Sequence, residues 1–202
     1  MTTLVLASQS PRRENLLKAA GERFESAPSY IEEIRKRGES PENYVKRLSL
    51  EKALACPWRG EEGSQWIVLA ADTTVVLEER GRKKILEKPQ SKSEAIRMLT
   101  RLSGNRHLVF TAYTLVAFDS GKVKSKKITR VVRTEVEFRK LSKGEIVDYV
   151  NSGEPMDKAG AYGAQSGASQ GFISKIKGSY SSVVGLPLAE VIVDLRRFRD
   201  AI

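Results

Sequence analysis

Apolar residues along the chain fall into short runs broken by polar, glycine- or proline-marked stretches, and the period within each run assigns it a structure. Leu4, Val5 and Leu6 form a buried strand and Ala7 to Ser10 a tight turn. Pro11 opens a helix with Ser10 as its N-cap and Leu16 and Leu17 on its apolar side. Phe24 to Tyr30 reads as a strand running into Ile31, Glu32 and Glu33. Ser40 caps a second helix, with Pro41 first and Glu42 in its first turn, and Val45, Leu48 and Lys52 share one face. Trp66 to Leu77 is apolar long enough to be a strand buried on both sides, with Asp72 interrupting it.

Glu78 to Lys84 predicts a hairpin turn, after which Ile85 and Leu86 resume the strand. Ser91 and Glu94 predict a capping box for a helix through Leu102, with Ile96, Leu99 and Leu102 inward and Gly104 as its stop. Leu108 to Phe118 and Val131 to Phe138 read as strands separated by a turn at Gly121. Ser142 and Glu145 form a second capping box for a helix with Ile146, Val147 and Val150 inward, ending at Ser152 and Gly153. Gly153 to Gly171 carries five glycines and reads as an ordered loop, because apolar residues flank it. A strand near Phe172 to Ile176 follows, and Pro187 begins a last helix with Val191, Ile192 and Leu195 inward.

Composition narrows the class. At 202 residues the chain suffices for one domain, residues 1–202, or two lobes sharing a core, and 40% apolar with 30% charged residues is ordinary for a soluble globular protein. No apolar run nears the ~20 residues of a membrane span, and the N-terminus enters a strand pattern directly, so a cytoplasmic location is expected. Cys56 and His107 are each the sole residue of their type, which excludes a disulfide framework and a Cys/His zinc site. Any metal must be held by oxygen, which points to Mg²⁺ or Mn²⁺. The net charge of +10 suits an anionic partner. The densest basic run, Lys122 to Arg133, has no aromatic residue for base stacking and reads as a solvated strand edge rather than a nucleic-acid contact.

Three places carry candidate chemistry. Arg12 and Arg13 occupy a helix first turn, where the dipole disfavours cations, so with the turn at Ser8 to Ser10 they describe a phosphate site; two solvated surface arginines are the alternative. Lys52 projects from an apolar face, either snorkelling or brought to a buried anion. Asp72 would cost several kcal/mol to bury unpaired, so it is expected at a strand end or bulge, paired with a cation or metal. Other motifs fail. GASQG at Gly167 to Gly171 matches a nucleophile elbow, but no strand precedes it and His107 lies upstream of Ser169. The glycine spacings of the phosphate loop and the dinucleotide fold are absent. His107 itself reads as a structural hydrogen-bonder.

In order along the chain stand SQSPRR (Ser8 to Arg13), IEE (Ile31 to Glu33), EKA (Glu51 to Ala53), ADT around Asp72, EKP (Glu87 to Pro89) and HLVFT (His107 to Thr111). SGEPMDKAGAYGAQ (Ser152 to Gln165) and SSVVGLPL (Ser181 to Leu188) complete the series. Together they resemble the Maf family of nucleotide pyrophosphatases over nearly the whole chain. The resemblance implies an α/β fold like that of the inosine triphosphate pyrophosphatases: an elongated twisted mixed β-sheet with flanking helices and two lobes around a cleft. It implies metal-dependent attack of water on the α-phosphorus of a nucleoside triphosphate, and a homodimer; no membrane partner is expected from the lack of a long apolar run, and a nucleic-acid partner is not favoured by the basic run without aromatics. Asp72 is then the general base, and Glu33 and Asp72 hold Mg²⁺ or Mn²⁺. Ser8, Ser10, Arg12, Arg13, Lys52, Thr73, Lys88, Asp157, Lys158 and Gln165 bind substrate. Arg12, Thr73 and Gln165 match the branch acting on dTTP and UTP rather than the one acting on 7-methyl-GTP, and a Gln amide suits the O4 and N3–H edge of a pyrimidine. Glu32 and Ser166 depart from the family's Asp and Gly, which bears on the shape of the base pocket. The alternative is a non-catalytic regulator of septum formation that binds a partner or nucleic acid, for which the basic charge is the support.

Overall fold

The computed structural model describes residues 2–61, 63–79, 81–120, 122–165 and 167–200. The turn expected at Gly121 and the departure at Ser166 lie outside them. Strands β1 (Thr3–Leu6), β2 (Glu25–Ser26), β3 (Gln65–Glu79), β4 (Arg82–Leu86), β5 (Arg106–Asp119), β6 (Lys122–Phe138) and β7 (Ile173–Lys177) build a mixed sheet. Its order is β2-β1-β3-β5-β6-β7, with β4 also on β3. β1 is parallel to β2 and β3, whereas β3 and β4, like β6 and β7, pair antiparallel. Helices α1 (Pro11–Ala19), α2 (Pro41–Leu54), α3 (Lys92–Leu102), α4 (Lys143–Asn151) and α7 (Leu188–Arg199) are joined by short helices α5 (Gly167–Gln170) and α6 (Tyr180–Val184). The chain divides into two units, one of residues 1–72, 111–132 and 185–202 and the other of 73–110 and 133–184, so β3, β5 and β6 each pass from one to the other.

In the first unit β1 and the adjoining parts of β3 and β5 are buried on both sides, and their alternation sorts side chains into two clusters. Leu4, Leu6, Ile67, Leu69, Leu115 and Ala117 pack with Leu17 of α1 and with Val191, Leu195 and Phe198 of α7. Val5, Ala7, Trp66, Val68, Ala70 and Val116 face the other way, against Ala53 of α2. Asp72 continues that second series, on the face that α2 covers. Two expectations fail here. The strand foreseen over Phe24 to Tyr30 shrinks to two residues, because Pro28 ends it and Tyr30 lies in solvent. Pro187 stands at the N-cap of α7 rather than inside it, and Phe198, not Ile192, completes the inward stripe with Val191 and Leu195.

In the second unit α3 and α4 pack with Val75, Leu77, Leu86, Val109, Val136 and Phe138 in one cluster. The β3–β4 turn is tighter than foreseen, since Glu79 already pairs with Arg82. The Ser142/Glu145 capping box forms, but at α3 only half does: Ser91 Oγ accepts from the Glu94 amide at 3.2 Å, while Glu94 reaches past it to the Gln90 amide at 2.8 Å. Tyr149 takes the inward place expected of Val147, which is exposed. Among its described residues the glycine-rich loop forms 3₁₀ turns at Glu154–Asp157 and Ala159–Ala161 before α5.

Candidate active site

β1 delivers the chain into a turn in which Ser8 is buried while Gln9 is exposed. Ala7 N–H donates to Leu69 O at 2.8 Å, extending the ladder one residue, and the next side chain, Ser8, is buried. Its Oγ accepts from the Ser10 amide at 3.1 Å and from Arg13 Nη1 at 3.2 Å. Ser10 takes the N-cap position, but its side chain makes no capping hydrogen bond; the hydroxyl that organises the turn is that of Ser8. Arg13 Nε donates to Gly185 O at 2.8 Å, which ties the second arginine of the first turn to a distant carbonyl; both Arg12 and Arg13 are half-buried. Burial pushes the Arg13 pKa down, as does the Arg12 charge; Asp72 and Glu33 act in the opposite sense. The solvated-arginine alternative does not describe Arg13. Gly185 lies in the SSVVGLPL motif, whose apolar character gave no sign that one of its carbonyls would anchor a guanidinium.

The acidic side of the site is set by α2 and β3. Because Asp72 continues the strand face that α2 covers, a cation one position before Ala53 meets it: Lys52 Nζ donates to Asp72 Oδ1 at 2.6 Å. The same ammonium lies 2.7 Å from Glu33 Oε1. Lys52 is thus the cation for a buried anion, not a snorkelling lysine. Asp72 is only 5% exposed and lies in the middle of β3, not at a strand end; pairing makes that interior position tolerable. Burial raises its pKa, opposed by Lys52 and Arg13, with the Glu33 charge adding to the rise. The Glu33 side chain is 42% exposed. Ser8, Ser10, Arg12, Arg13, Glu33, Lys52 and Asp72 therefore all belong to the first unit, where three cations and two carboxylates leave one net positive charge.

The other foreseen residues lie in the second unit. Thr73 follows Asp72 in β3 and is half-buried, and Lys88 is exposed just after β4. Lys158 Nζ donates to Asp157 Oδ1 at 2.7 Å and also to Glu154 O, within one loop, and Gln165 is exposed. Gly160 N–H donates to Glu87 O at 3.2 Å, tying this loop to the EKP segment. His107 Nε2 and Tyr162 Oη are 2.7 Å apart in the core; burial lowers the His107 pKa to about 3, so the ring is a neutral structural partner. Ser169 is buried and spends its hydroxyl on Gly163 O at 2.7 Å, which closes the nucleophile-elbow reading.

The family model for Maf-like proteins matches residues 3–198. A dTTP/UTP pyrophosphatase of Photorhabdus laumondii subsp. laumondii is 47% identical over 94% of this chain and 91% of its own. One of Bacillus anthracis is 44% identical over 98% and 96%. Among solved structures, a HAM1 protein from Coxiella burnetii aligns with 98% of this chain and 100% of its own at a TM-score of 0.46 and 12% identity. With a match over nearly its full length and relatives this similar, the chain belongs to the Maf family.

Proposed function

We propose that the protein is a nucleoside triphosphate pyrophosphatase that prefers dTTP and UTP, releasing the nucleoside monophosphate and pyrophosphate. The observation that carries this is a single ammonium, Lys52, held between Asp72 and Glu33 within electrostatic reach of a half-buried arginine, Arg13, on a strand-to-helix turn. The relatives named dTTP/UTP pyrophosphatase support the substrate class. In this reading the Ser8–Ser10 turn, Arg12 and Arg13 hold phosphate oxygens by charge-assisted hydrogen bonds. Asp72 accepts a proton from the water whose oxygen bonds to the α-phosphorus as the bond to the pyrophosphate oxygen breaks. Its upward-shifted pKa makes it a better proton acceptor than an ordinary carboxylate. Thr73 and Gln165 are proposed for base choice, and Lys88, Asp157 and Lys158 for substrate binding, on the family resemblance.

Among the described residues no group of three His, Cys, Asp or Glu side chains is placed to hold a metal. The donor set nevertheless fits Mg²⁺ or Mn²⁺, which take one or two carboxylates and complete their shells with water and substrate phosphate. Asp72 and Glu33 are two oxygen donors already turned toward one cation. The metal would supply charge neutralisation on the phosphates and a more acidic water. The family resemblance also supports a homodimer working in the cytoplasm; no helix among the described residues is long and apolar enough to cross a membrane. The test is pyrophosphate release with Mg²⁺ or Mn²⁺ from dTTP, UTP, CTP, dCTP, GTP and 7-methyl-GTP. We expect dTTP and UTP to lead; no release from any of them by folded protein would refute the proposal.

A further inference from the structure

Glu33 sits in a stretch, residues 27–40, with neither helix nor strand; Ala27 at its start packs on the core, but apolar burial does not hold the part around Glu33, where Tyr30 is 80% exposed and Ile34 67%. A segment with so little buried surface opens easily, and a carboxylate on it would wander. One helix grips it instead. Tyr44 Oη donates to the Glu33 carbonyl oxygen at 2.9 Å, and Arg47 Nη2 donates to the next carbonyl, that of Ile34, at 3.0 Å. The Arg47 fork also closes on the Glu39 carboxylate, Nε to Oε1 at 2.7 Å and Nη2 to Oε2 at 2.8 Å, where the segment re-enters α2. Its Nη1 reaches Glu51 at 3.0 Å, and its guanidinium carbon lies 5.7 Å from the centre of the Tyr44 ring. The Glu33 side chain ends on Lys52 of the same helix.

We propose that Tyr44 and Arg47 are positioning residues for Glu33: they fix two consecutive peptide carbonyls of an otherwise unburied segment, and so aim the Glu33 carboxylate at the place it shares with Asp72. The proposal rests on the reading of Glu33 as a metal ligand. A tyrosine hydroxyl and a guanidinium suit the task because both are rigid, planar donors that lose little freedom on binding. The fork persists over the working pH range, since the hydrogen bonds from Arg47 lower the Glu39 pKa to about 2. Arg47 holds the far end of the segment as well, through Glu39.

The test uses the full chain and two readouts that need no turnover. Hydrogen–deuterium exchange of peptides covering residues 31–39 reads the grip, and the electron paramagnetic resonance of free Mn²⁺ reads metal affinity. Tyr44→Phe removes one hydroxyl and keeps the ring. Loss of a hydrogen bond of about 1 kcal/mol predicts roughly fivefold faster exchange in this segment with the rest of the chain unaltered. Arg47→Met removes the fork and keeps the stem, and is expected to speed exchange further. Both should weaken Mn²⁺ binding at least about threefold. In a Glu33→Gln background Tyr44→Phe should weaken it no further, because the group being positioned is gone. Unchanged exchange in both variants overturns the proposal. So does faster exchange with unchanged Mn²⁺ affinity, or a Tyr44→Phe effect that persists without Glu33. Failure of the nucleotide panel to release pyrophosphate would sink the proposed function while leaving these readouts standing.

Discussion

Asp72→Asn separates a chemical role from a structural one, because the exchange keeps shape and hydrogen-bonding reach while removing one buried charge. At the 2.6 Å separation from Lys52, an effective dielectric of ~20 gives a gross attraction of about 6 kcal/mol. Most of that is already offset, since taking a carboxylate out of water costs several kcal/mol. Lys52 also retains a second partner, Glu33, 2.7 Å away. The net effect on stability should therefore stay within about 2 kcal/mol, or roughly 4–8 °C in Tm for a chain of this size. Loss of a general base costs far more in rate, about 10²–10⁴-fold, equivalent to roughly 3–5 kcal/mol of transition-state stabilisation. The expected signature is a collapse of pyrophosphate release from dTTP at saturating Mg²⁺ in protein whose circular dichroism melt is nearly native. A variant within about threefold of native kcat would refute Asp72 as the base. A melt that falls in step with activity would assign it a structural role only.

Three further outcomes follow from the same geometry. Lys52→Met leaves Asp72 buried without its ammonium, and loss of one partner of a buried pair predicts about 3 kcal/mol of destabilisation, seen as roughly 6–12 °C in the melt; a melt unchanged within 2 °C would contradict the pairing. Gly160 has φ +70°, and a Cβ there would lie 3.0 Å from Val75, so Gly160→Ala should cost about 1–3 kcal/mol by thermal or urea unfolding. His107, the sole histidine, has its folded pKa lowered to about 3 against about 6.5 unfolded. Between those values the unfolded chain binds the extra proton, so stability falls as pH falls, by up to ~1.4 kcal/mol per pH unit. His107→Asn should lack that slope between pH 6.5 and about 4, and urea unfolding of the two proteins at several pH values would expose the difference.

The strands were readable because burial on two faces forces long apolar runs, and the helices because their caps are local chemistry: Ser40, Ser91 and Ser142 each accept from the amide three residues on. Lys52 and Asp72 could be suspected singly, since each is a polar residue in an apolar context. Their meeting was not readable, because it depends on which face of β3 α2 covers, a tertiary fact that no local period encodes. The same holds for Arg13 and Gly185 O, which are 172 residues apart. Phe24 to Tyr30 misled for the opposite reason. Its composition favours a strand, but only Glu25 and Ser26 pair as one, on β1, with the Ala27 amide adding a last bond to Leu6 O before Pro28. The interior placement of Asp72 was missed because the cost of burying a carboxylate was counted before its ammonium was known.

That long reach from Arg13 to Gly185 also orders events during synthesis. The carbonyl that holds Arg13 is synthesised 172 residues after the turn bearing the two arginines, roughly ten to thirty seconds at ordinary elongation rates. Leu4, Leu6 and Leu17 likewise wait for Val191, Leu195 and Phe198. Until then the face of β1 that α7 covers lacks part of its native packing and the Arg13 guanidinium lacks its carbonyl partner, an opening for chaperones and for stray polyanions alike. Nascent chains halted before Gly185 should therefore be protease-sensitive at the Ser8–Arg13 turn, and translation through α7 completes the packing that fixes this turn.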